Sequence, residues 1–254
     1  MTMNSVSRKW LPKKHRFPAV HLLMTFAEHT LSFIRQLNFP VTLPKGIEVM
    51  IPFDNPATLQ ACESFYKKFY SDHQQRRMII GINPGRFGGG VTGIPFTDPI
   101  RLQNDCRIEN NWAKKQELSS LYVYEMIDAF GGVTDFYQQF YVTAVSPLGF
   151  TRQGKNLNYY DDKTLQERIK PFVMDCLNRQ FDFGIARDIA FCLGDGKNFK
   201  YLSKLNAEQH FFETIVPLPH PRFIMQYRLK KKQEYIDLYK QLLRAGRSEI
   251  KIIN

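Results

Sequence analysis

The beginning of the chain shows apolar residues at the spacing of an amphipathic helix. Between residues 18 and 37 the recurring apolar positions are Val20, Leu23, Ala27, Leu31 and Ile34. Positions three and four apart share one face of a helix, so this stretch predicts a helix that packs against a core. A second helix is predicted over residues 57–72. We therefore expect residues 1–75 to form a helical N-terminal extension.

From residue 76 onward, short apolar runs alternate with helical patterns. The runs predict strands at 76–82, 140–145, 188–193 and 211–216, and the helical patterns lie at 114–130, 162–180, about 197–205 and around Tyr235, Ile236, Tyr239 and Leu242. Pro171 is expected to kink the helix in which it lies. Strands that alternate with helices predict an α/β three-layer sandwich, with a central, mainly parallel four-stranded sheet and flanking helices.

The domain organisation follows from the same pattern. No repeat, low-complexity linker or composition break divides the chain, so we predict a single domain over 1–254 with its core at 76–245. In parallel sheets, sites lie beyond the carboxyl ends of the strands. Here the residues that follow the predicted strands are Asn83, Ser146, Gly194 and His220.

Composition narrows the class of protein. Hydrophobic residues make up 43% of the chain and 23% are charged, values typical of a globular protein rather than a disordered one. No apolar run is long enough for a membrane span, and the basic N-terminus lacks the apolar core of a signal peptide. We therefore expect a soluble protein of the cytoplasm, associated with the nucleoid, or of a nucleus.

The net charge of +11 favours a polyanionic partner, above all nucleic acid, although an acidic membrane surface has the same attraction. One basic cluster, expected to be a loose arm, contains Arg8, Lys9, Lys13, Lys14 and Arg16; another contains Arg228, Lys230, Lys231 and Lys232. The second cluster is predicted to contact phosphates, and its structural alternative is a solvated surface.

The four cysteines argue against a metal centre. Cys62, Cys106, Cys176 and Cys192 are widely spaced, and the closest two are 16 positions apart. Zinc and iron–sulfur sites use closely spaced pairs. We therefore expect buried free thiols, and no metal or cofactor.

A glycine-rich loop follows the first predicted strand. Residues Gly88 to Gly93 match the dinucleotide pattern G-x-G-x-x-G. That pattern works only when its glycines lie at the strand end and a helix opens directly after them. Here the strand ends about six residues earlier, and Pro95 and Pro99 oppose an immediate helix. A nucleotide-cofactor enzyme is therefore disfavoured.

Three segments, taken together, resemble a known family. The sequence GINPGRFG from Gly81 to Gly88, followed by TGIPF from Thr92 to Phe96, resembles the first motif of the uracil-DNA glycosylase superfamily, closest to its single-strand-selective monofunctional (SMUG-type) branch. His220-Pro221-Arg222 resembles the second motif, although it is shorter. The segment from Val142 to Leu148 resembles a third.

The resemblance implies a role for each residue of the site. Asn83 would hold the attacking water near C1′, and His220 would stabilise the negative charge that develops on O2 of the leaving base. Phe96 would stack on the flipped base. Backbone amides around Gly85, Arg86 and Phe87 would add hydrogen-bond donors. Further implied or neighbouring candidates are Thr143 and Ser146 for base binding, and Arg222 and Phe223 for contact with DNA, with Arg222 as the first choice for a wedge.

Each of these residues has a structural alternative. Asn83 could be a turn residue, His220 a structural histidine and Phe96 part of the core. The matched positions around Asn83 favour the functional interpretation. One departure from the branch affects base recognition. The branch has an asparagine that reads the base at the position where this chain has Ala144.

The resemblance therefore implies a monomeric, cofactor-free DNA glycosylase that initiates base-excision repair. It would hydrolyse the N-glycosidic bond of uracil or a related deaminated base after base flipping, in single- or double-stranded DNA. Two alternatives stay open: a mismatch-type glycosylase that prefers another base, and a DNA-binding homologue without catalysis. The presence of both Asn83 and His220 argues against the second, whereas Ala144 keeps it open.

Overall fold

The fold is described from a computed structural model, which covers residues 24–246 and residue 249. The strands are β1 (Ile47–Met50), β2 (Arg77–Gly81), β3 (Phe140–Ala144), β4 (Gly149–Arg152), β5 (Lys155–Leu157), β6 (Ile189–Leu193) and β7 (Thr214–Leu218). The helices are α1 (Phe26–Arg35), α2 (Pro56–Tyr70), α3 (Gly89–Thr92), α4 (Pro99–Asn104), α5 (Leu118–Phe130), α6 (Val133–Gln139), α7 (Lys163–Gln180), α8 (Lys197–Gln209), α9 (Pro221–Tyr227) and α10 (Lys232–Arg244). Short 3-10 turns lie at 52–54, 181–183 and 229–231.

The central sheet confirms the predicted architecture. Its four strands are all parallel in the order β3-β2-β6-β7, and helices flank it. The strands are continuous apolar runs because both faces of a parallel sheet are covered. Gly81 lies opposite Ala144 in the register of β2 and β3, so the carboxyl ends of these strands are neighbours.

The last strand differs from its prediction. The sequence pattern placed it at 211–216, with Pro217 as its end, but β7 runs from Thr214 to Leu218 and contains Pro217. A proline has no N–H to donate, and sheets tolerate it on an edge strand, where one side has no partner. β7 is that edge strand, so the proline does not end it.

A second, antiparallel sheet was not predicted. It contains three short strands in the order β1-β4-β5. Residues 24–75 therefore supply a strand to this sheet as well as the two predicted helices. Strands of three or four residues, such as β5, show too little alternation to be recognised in the sequence.

The N-terminal helices are joined to the core through a buried arginine. The Arg76 guanidinium donates to both carboxylate oxygens of Asp72 at 2.8 Å and to the carbonyl oxygen of Tyr137 at 2.7 Å. It also lies 4.7 Å from the ring centres of both Phe26 and Tyr70. These contacts link α1, α2 and the start of β2 into one packed unit.

Several helix boundaries also differ from prediction. α1 begins at Phe26, because Thr25 and Glu28 form a reciprocal cap, whereas residues 18–23 of the predicted helix lie outside the described residues. The basic cluster at residues 8–16 lies outside them too. α5 begins at Leu118 rather than Lys114. α6 and α9 were not predicted, and the kink at Pro171 within α7 stays a prediction.

All four cysteines are buried, as predicted, and none forms a disulfide. Burial raises the pKa of the Cys62 thiol to about 12, so it stays protonated near neutral pH. Within the described ranges, no helix is both long enough and apolar enough to span a bilayer.

Candidate active site

A pocket lies at the carboxyl ends of the parallel strands. It is lined by Ile82, Asn83, Pro84, Gly85, Gly89, Pro95, Phe96, Glu117, Ser119, Ala144, Asn156, Asn158, His220 and Arg222. These residues come from the loop after β2, the end of β3, the start of α5, the β5 hairpin and the start of α9. The fold therefore brings Asn83, Phe96 and His220 together, although more than a hundred positions separate the first from the last.

The second sheet fixes the orientation of Asn83. The side-chain Oδ1 accepts a hydrogen bond from the Tyr159 N–H at 3.0 Å, and Nδ2 donates to the carbonyl oxygen of Leu157 at 3.2 Å. Both partners are backbone groups at or just after the end of β5. Since an amide oxygen has two lone pairs, Oδ1 keeps one for a further donor such as water.

His220 is the N-cap of α9 and is half-buried in the pocket. Its Nδ1 accepts a hydrogen bond from the Arg222 N–H at 3.1 Å, so the ring proton of the neutral form lies on Nε2. Burial, and then the charge of Arg222, lower the pKa of His220 to about 4. The imidazole is therefore neutral at physiological pH and offers an Nε2–H donor.

Phe96 stacks over the end of β2, where only glycine leaves space for its ring. A Cβ atom at Gly81 would lie 2.7 Å from Phe96 Cε2. Phe96 itself has a positive φ of 53°, an uncommon conformation for a bulky residue, and such strain is found most often at functional sites. Its ring centre is 6.1 Å from that of His220.

The buried side chain of Thr92 stabilises this loop conformation. Its hydroxyl donates to the carbonyl oxygen of Thr97 at 2.6 Å and accepts from the Ile94 N–H at 3.2 Å. Gly93 follows with φ +72°, a conformation that favours glycine. The TGIPF segment thus acts as one unit that positions the Phe96 ring.

Thr143 and Ser146 do not reach the pocket, which corrects the expectation that they bind the base. The Thr143 hydroxyl donates to Gln180 Oε1 at 2.7 Å, and the Ser146 hydroxyl donates to the carbonyl oxygen of Leu148 at 2.7 Å. Side chains alternate between the faces of a strand, so Thr143 points away from the side on which Ala144 lies. Ala144 does line the pocket.

The predicted residues of the glycine loop divide between the pocket and its rim. Gly85 lines the pocket, whereas Arg86 and Phe87 line an adjoining hollow together with Lys155 and Arg222. The Arg86 N–H donates to Asn156 Oδ1 at 3.1 Å. This backbone amide is therefore used within the protein, which corrects the expectation that it donates to a base.

The elements that border the pocket also carry exposed apolar side chains. The large ones that are exposed in the described part of the chain are Phe87, Leu118, Phe223, Tyr227 and Leu229. They lie in the glycine loop, at the start of α5, and on α9 and the turn after it. Arg222, also on α9, lines both the pocket and the adjoining hollow. Exposed apolar patches beside a pocket are typical of binding surfaces.

Only some cations of the predicted basic cluster after α9 are free of ion pairs with the described residues. Arg228 lies 5.3 Å from the ring centre of Phe223, and Lys230 forms no ion pair among the described residues. Lys231 pairs with Glu234 at 3.3 Å, and Lys232 pairs with Glu125 at 2.6 Å. The cluster therefore presents less unpaired charge to a partner than its sequence suggests.

Glu117, Asn156 and Asn158 line the pocket but were not predicted. The two asparagines lie at the β5 hairpin, which the sequence pattern did not indicate. Glu117 falls within the predicted helix 114–130, yet the structure makes it the N-cap of α5. Burial raises the pKa of its carboxyl, while the charge of Arg222 opposes that shift. Among the described residues, no group of three His, Cys, Asp or Glu could hold a metal ion.

This pocket offers an aromatic face, an oriented amide and a neutral imidazole donor beside a cationic rim. Such a combination suits a planar, polar ring that is attached to an anionic chain, as in a nucleic acid. The fold and the pocket thus define an α/β protein with a pocket whose chemistry suits a nucleobase.

Comparison with known proteins specifies the family. The family model of the uracil DNA glycosylase superfamily matches residues 67–244, and the chain belongs to this superfamily, whose members are DNA glycosylases. The chain is also similar to the solved structure of wild-type SMUG2 from Pedobacter heparinus. The two share 48% sequence identity with a TM-score of 0.85, over 87% of this chain and 98% of the other. These findings confirm the SMUG-type branch. No curated protein matches the chain at a significant level.

Proposed function

We propose that this protein is a monofunctional DNA glycosylase that removes uracil or a related deaminated base from DNA and so initiates base-excision repair. The observation that carries the proposal is the meeting of Asn83, Phe96 and His220 in one pocket at the carboxyl ends of the sheet. Its partner is DNA, single- or double-stranded, and it acts as a monomer in the compartment that holds the DNA.

In this reaction the site acts mainly by stabilising the negative charge that develops on the leaving base. When the bond between C1′ and the base nitrogen breaks, its electron pair goes to the base, and the sugar becomes cationic. The charge on the base concentrates on a carbonyl oxygen, where a preorganised donor lowers the barrier. The Nε2–H of neutral His220 is such a donor, because Nδ1 is already occupied by the Arg222 N–H. The released base then takes up a proton from solvent.

Water completes the reaction on the other side of the bond. The free lone pair of Asn83 Oδ1 accepts a hydrogen bond from this water. That hydrogen bond orients the water oxygen toward C1′. An amide is a poor base, so the water loses its proton to solvent only after it has bonded to the sugar cation. Because Asn83 is already held in one orientation, positioning the water costs little entropy.

The lining of the pocket also favours a monofunctional enzyme. A glycosylase that cuts the strand forms a Schiff base through an amine, and none of the described residues that line the pocket is a lysine. We therefore propose that a free base and an intact abasic strand are the products.

Ala144 favours one alternative within the family. An apolar side chain at the end of β3 removes a group that could read a pyrimidine, so a mismatch-type enzyme with a preferred base other than uracil is the second candidate. A homologue without catalysis is less favoured, because both Asn83 and His220 are held in specific orientations.

A direct test uses labelled oligonucleotides, single- and double-stranded, that carry uracil, hypoxanthine, xanthine or the unmodified bases. Alkaline strand scission reports abasic sites. The proposal expects scission only with deaminated bases, and far less with the Asn83→Ala variant. Equal scission with the variant would indicate a contaminating activity, and no scission of any substrate would refute the proposal.

Replacing Ala144 is expected to alter base preference. In Ala144→Asn, a new amide beside Phe96 can hydrogen-bond a uracil edge, and one neutral hydrogen bond corresponds to about 3- to 10-fold in rate. The ratio of uracil to hypoxanthine excision, measured in matched oligonucleotides, should rise by that factor, while the wild type cuts both bases. A ratio that does not change would mean that another group reads this edge.

Salt dependence is expected to distinguish the free from the paired cations of the basic cluster. The plot of log affinity against log salt has a negative slope, and each lost phosphate contact makes it shallower by about 0.9 on duplex DNA. Arg228→Gln and Lys230→Gln should each do so in a binding titration. Lys232→Gln is the matched control, because its ammonium group already pairs with Glu125. Equal slopes for all three variants and the wild type would identify the cluster as a solvated surface.

A further inference from the structure

Glu117 brings an open carboxyl oxygen to the pocket. Its Oε2 accepts a hydrogen bond from the Ser120 hydroxyl at 3.1 Å, and its backbone N–H donates to Asp98 Oδ2 at 2.8 Å. Oε1 has no hydrogen-bond partner among the described residues. The side chain is therefore fixed through one oxygen, while the other is free for a ligand.

Asn156 brings an open donor to the same place. Its Oδ1 accepts from the Arg86 N–H at 3.1 Å, which assigns the other side-chain atom as Nδ2. Nδ2 has no acceptor within the described part of the chain. Like Glu117, this side chain is oriented by one contact and leaves a second group unused.

The two open groups converge on Gly85. The point at which a side chain of Gly85 would begin lies 2.6 Å from Glu117 Oε1 and 3.3 Å from Asn156 Nδ2. A larger residue at position 85 would collide with Glu117 Oε1 and would lie in tight contact with Asn156 Nδ2. An acceptor and a donor thus stand next to each other in the wall of the pocket that also contains Phe96 and Ala144.

On the basis of the proposed function, we infer that Glu117 and Asn156 together read the lactam edge of a deaminated base. Uracil, hypoxanthine and xanthine all present a ring N–H next to a carbonyl oxygen. Glu117 Oε1 accepts from that N–H, and Asn156 Nδ2 donates to that oxygen. Cytosine and adenine present the reverse order, a ring acceptor beside an amino donor, so acceptor would face acceptor and donor would face donor, and both side chains would stay unpaired.

This pair explains how a pocket with Ala144 can select its substrates. Ala144 leaves β3 without a side-chain donor or acceptor, and Glu117 and Asn156 supply one of each to a lactam that deaminated pyrimidines and purines share. Glu117 and Asn156 would therefore discriminate against cytosine and adenine at either ring size, whereas thymine and guanine carry the same lactam and must be excluded by other parts of the pocket.

The acceptor role is strongest when Glu117 is ionised, because protonation can place a hydrogen on Oε1, which then cannot accept from the base. Burial and Asp98 raise the pKa of this carboxyl, whereas the Ser120 hydrogen bond and the charge of Arg222 lower it, and the net shift is upward. Arg86 and Lys155 are further cations in the adjoining hollow. A carboxyl with a raised pKa is protonated as pH falls toward that value. Excision should therefore decline on the acid side at a pH above that of an ordinary glutamate, and Glu117→Gln should lack this decline.

The test compares uracil with N3-methyluracil, which has no lactam N–H, in single-turnover reactions. The wild type should prefer uracil strongly. Glu117→Ala should reduce that ratio by about 10- to 100-fold, as expected for loss of a hydrogen bond to a charged group. Glu117→Gln, whose amide oxygen also accepts, should retain most of it. A purely structural role would slow both substrates equally and leave the ratio unchanged.

Asn156→Asp gives an independent arm. An aspartate keeps an acceptor for the Arg86 N–H but replaces the donor with an oxygen, so uracil excision should fall at least about 10-fold with little change in unfolding temperature. Gln116→Ala, in the adjoining hollow only, is the control and should match the wild type. The inference is overturned if the wild type excises uracil and both Glu117→Ala and Asn156→Asp excise it at the wild-type rate, with the wild-type ratio of uracil to N3-methyluracil. Absence of uracil excision by the wild type would instead refute the proposed function.

Discussion

Asn83→Ala is expected to slow single-turnover excision of uracil at least ~100-fold, the scale for loss of one preorganised polar group in an active site. The truncated side chain can no longer orient water at C1′. Affinity for DNA should change little, because Asn83 lies within the pocket rather than on the cationic rim. The rate is measured with enzyme in excess over a labelled uracil oligonucleotide, and affinity with a non-cleavable analogue.

The same substitution has a structural effect that needs its own control. It leaves the Tyr159 N–H and the Leu157 carbonyl without their partner, so some loss of stability is expected. Asp161→Ala loosens the same turn, because the Asp161 carboxylate accepts from the Asn158 backbone and side chain, but it leaves the Asn83 amide in place. If Asp161→Ala slows excision as much as Asn83→Ala, the turn rather than the amide carries the effect.

His220→Ala is expected to produce the second large effect, about a 100-fold fall in the excision rate at unchanged DNA affinity. The loss comes from the Nε2–H that stabilises the leaving base. A base with a better leaving-group ability, such as 5-fluorouracil, should suffer less from the substitution than uracil. An equal loss with both bases would mean that His220 acts on another step.

The pH dependence distinguishes a neutral from a charged His220. Because burial lowers the pKa of this residue to about 4, the ring does not titrate between pH 6 and 8, and the wild-type rate should show no inflection from it there. The unfolded chain binds a proton at His220 below about pH 6.5, whereas the folded chain does so only near pH 4. This residue therefore contributes a loss of stability as pH falls through that window, and His220→Gln should remove that contribution from a series of unfolding curves.

The central sheet could be predicted because its strands are buried on both faces. An uninterrupted apolar run such as 189–193 has few other interpretations when glycines follow it. The strands of the second sheet are three or four residues long and partly exposed, and β5 contains Lys155 and Asn156. Their pairing depends on tertiary contacts, so local pattern alone does not indicate them.

The residues of the site also divide into those that the sequence predicted and those that it did not. Asn83, Phe96 and His220 follow from motifs at strand ends, where sequence and position agree. Thr143 and Ser146 were chosen because they are polar and close to Ala144 in sequence, but strand alternation and a local hydrogen bond turn them away. Glu117 and Asn156 reach Gly85 from a helix start and an unpredicted hairpin, which no sequence spacing connects.

Identification of the reaction products by mass spectrometry tests the central claim most directly. The wild type is incubated with a uracil-containing oligonucleotide, without alkali, and with borohydride in a parallel sample. The account predicts free uracil, an intact strand whose mass corresponds to an abasic site, and no borohydride-trapped covalent adduct. A strand cut without alkali, a trapped adduct, or an unchanged oligonucleotide would contradict it.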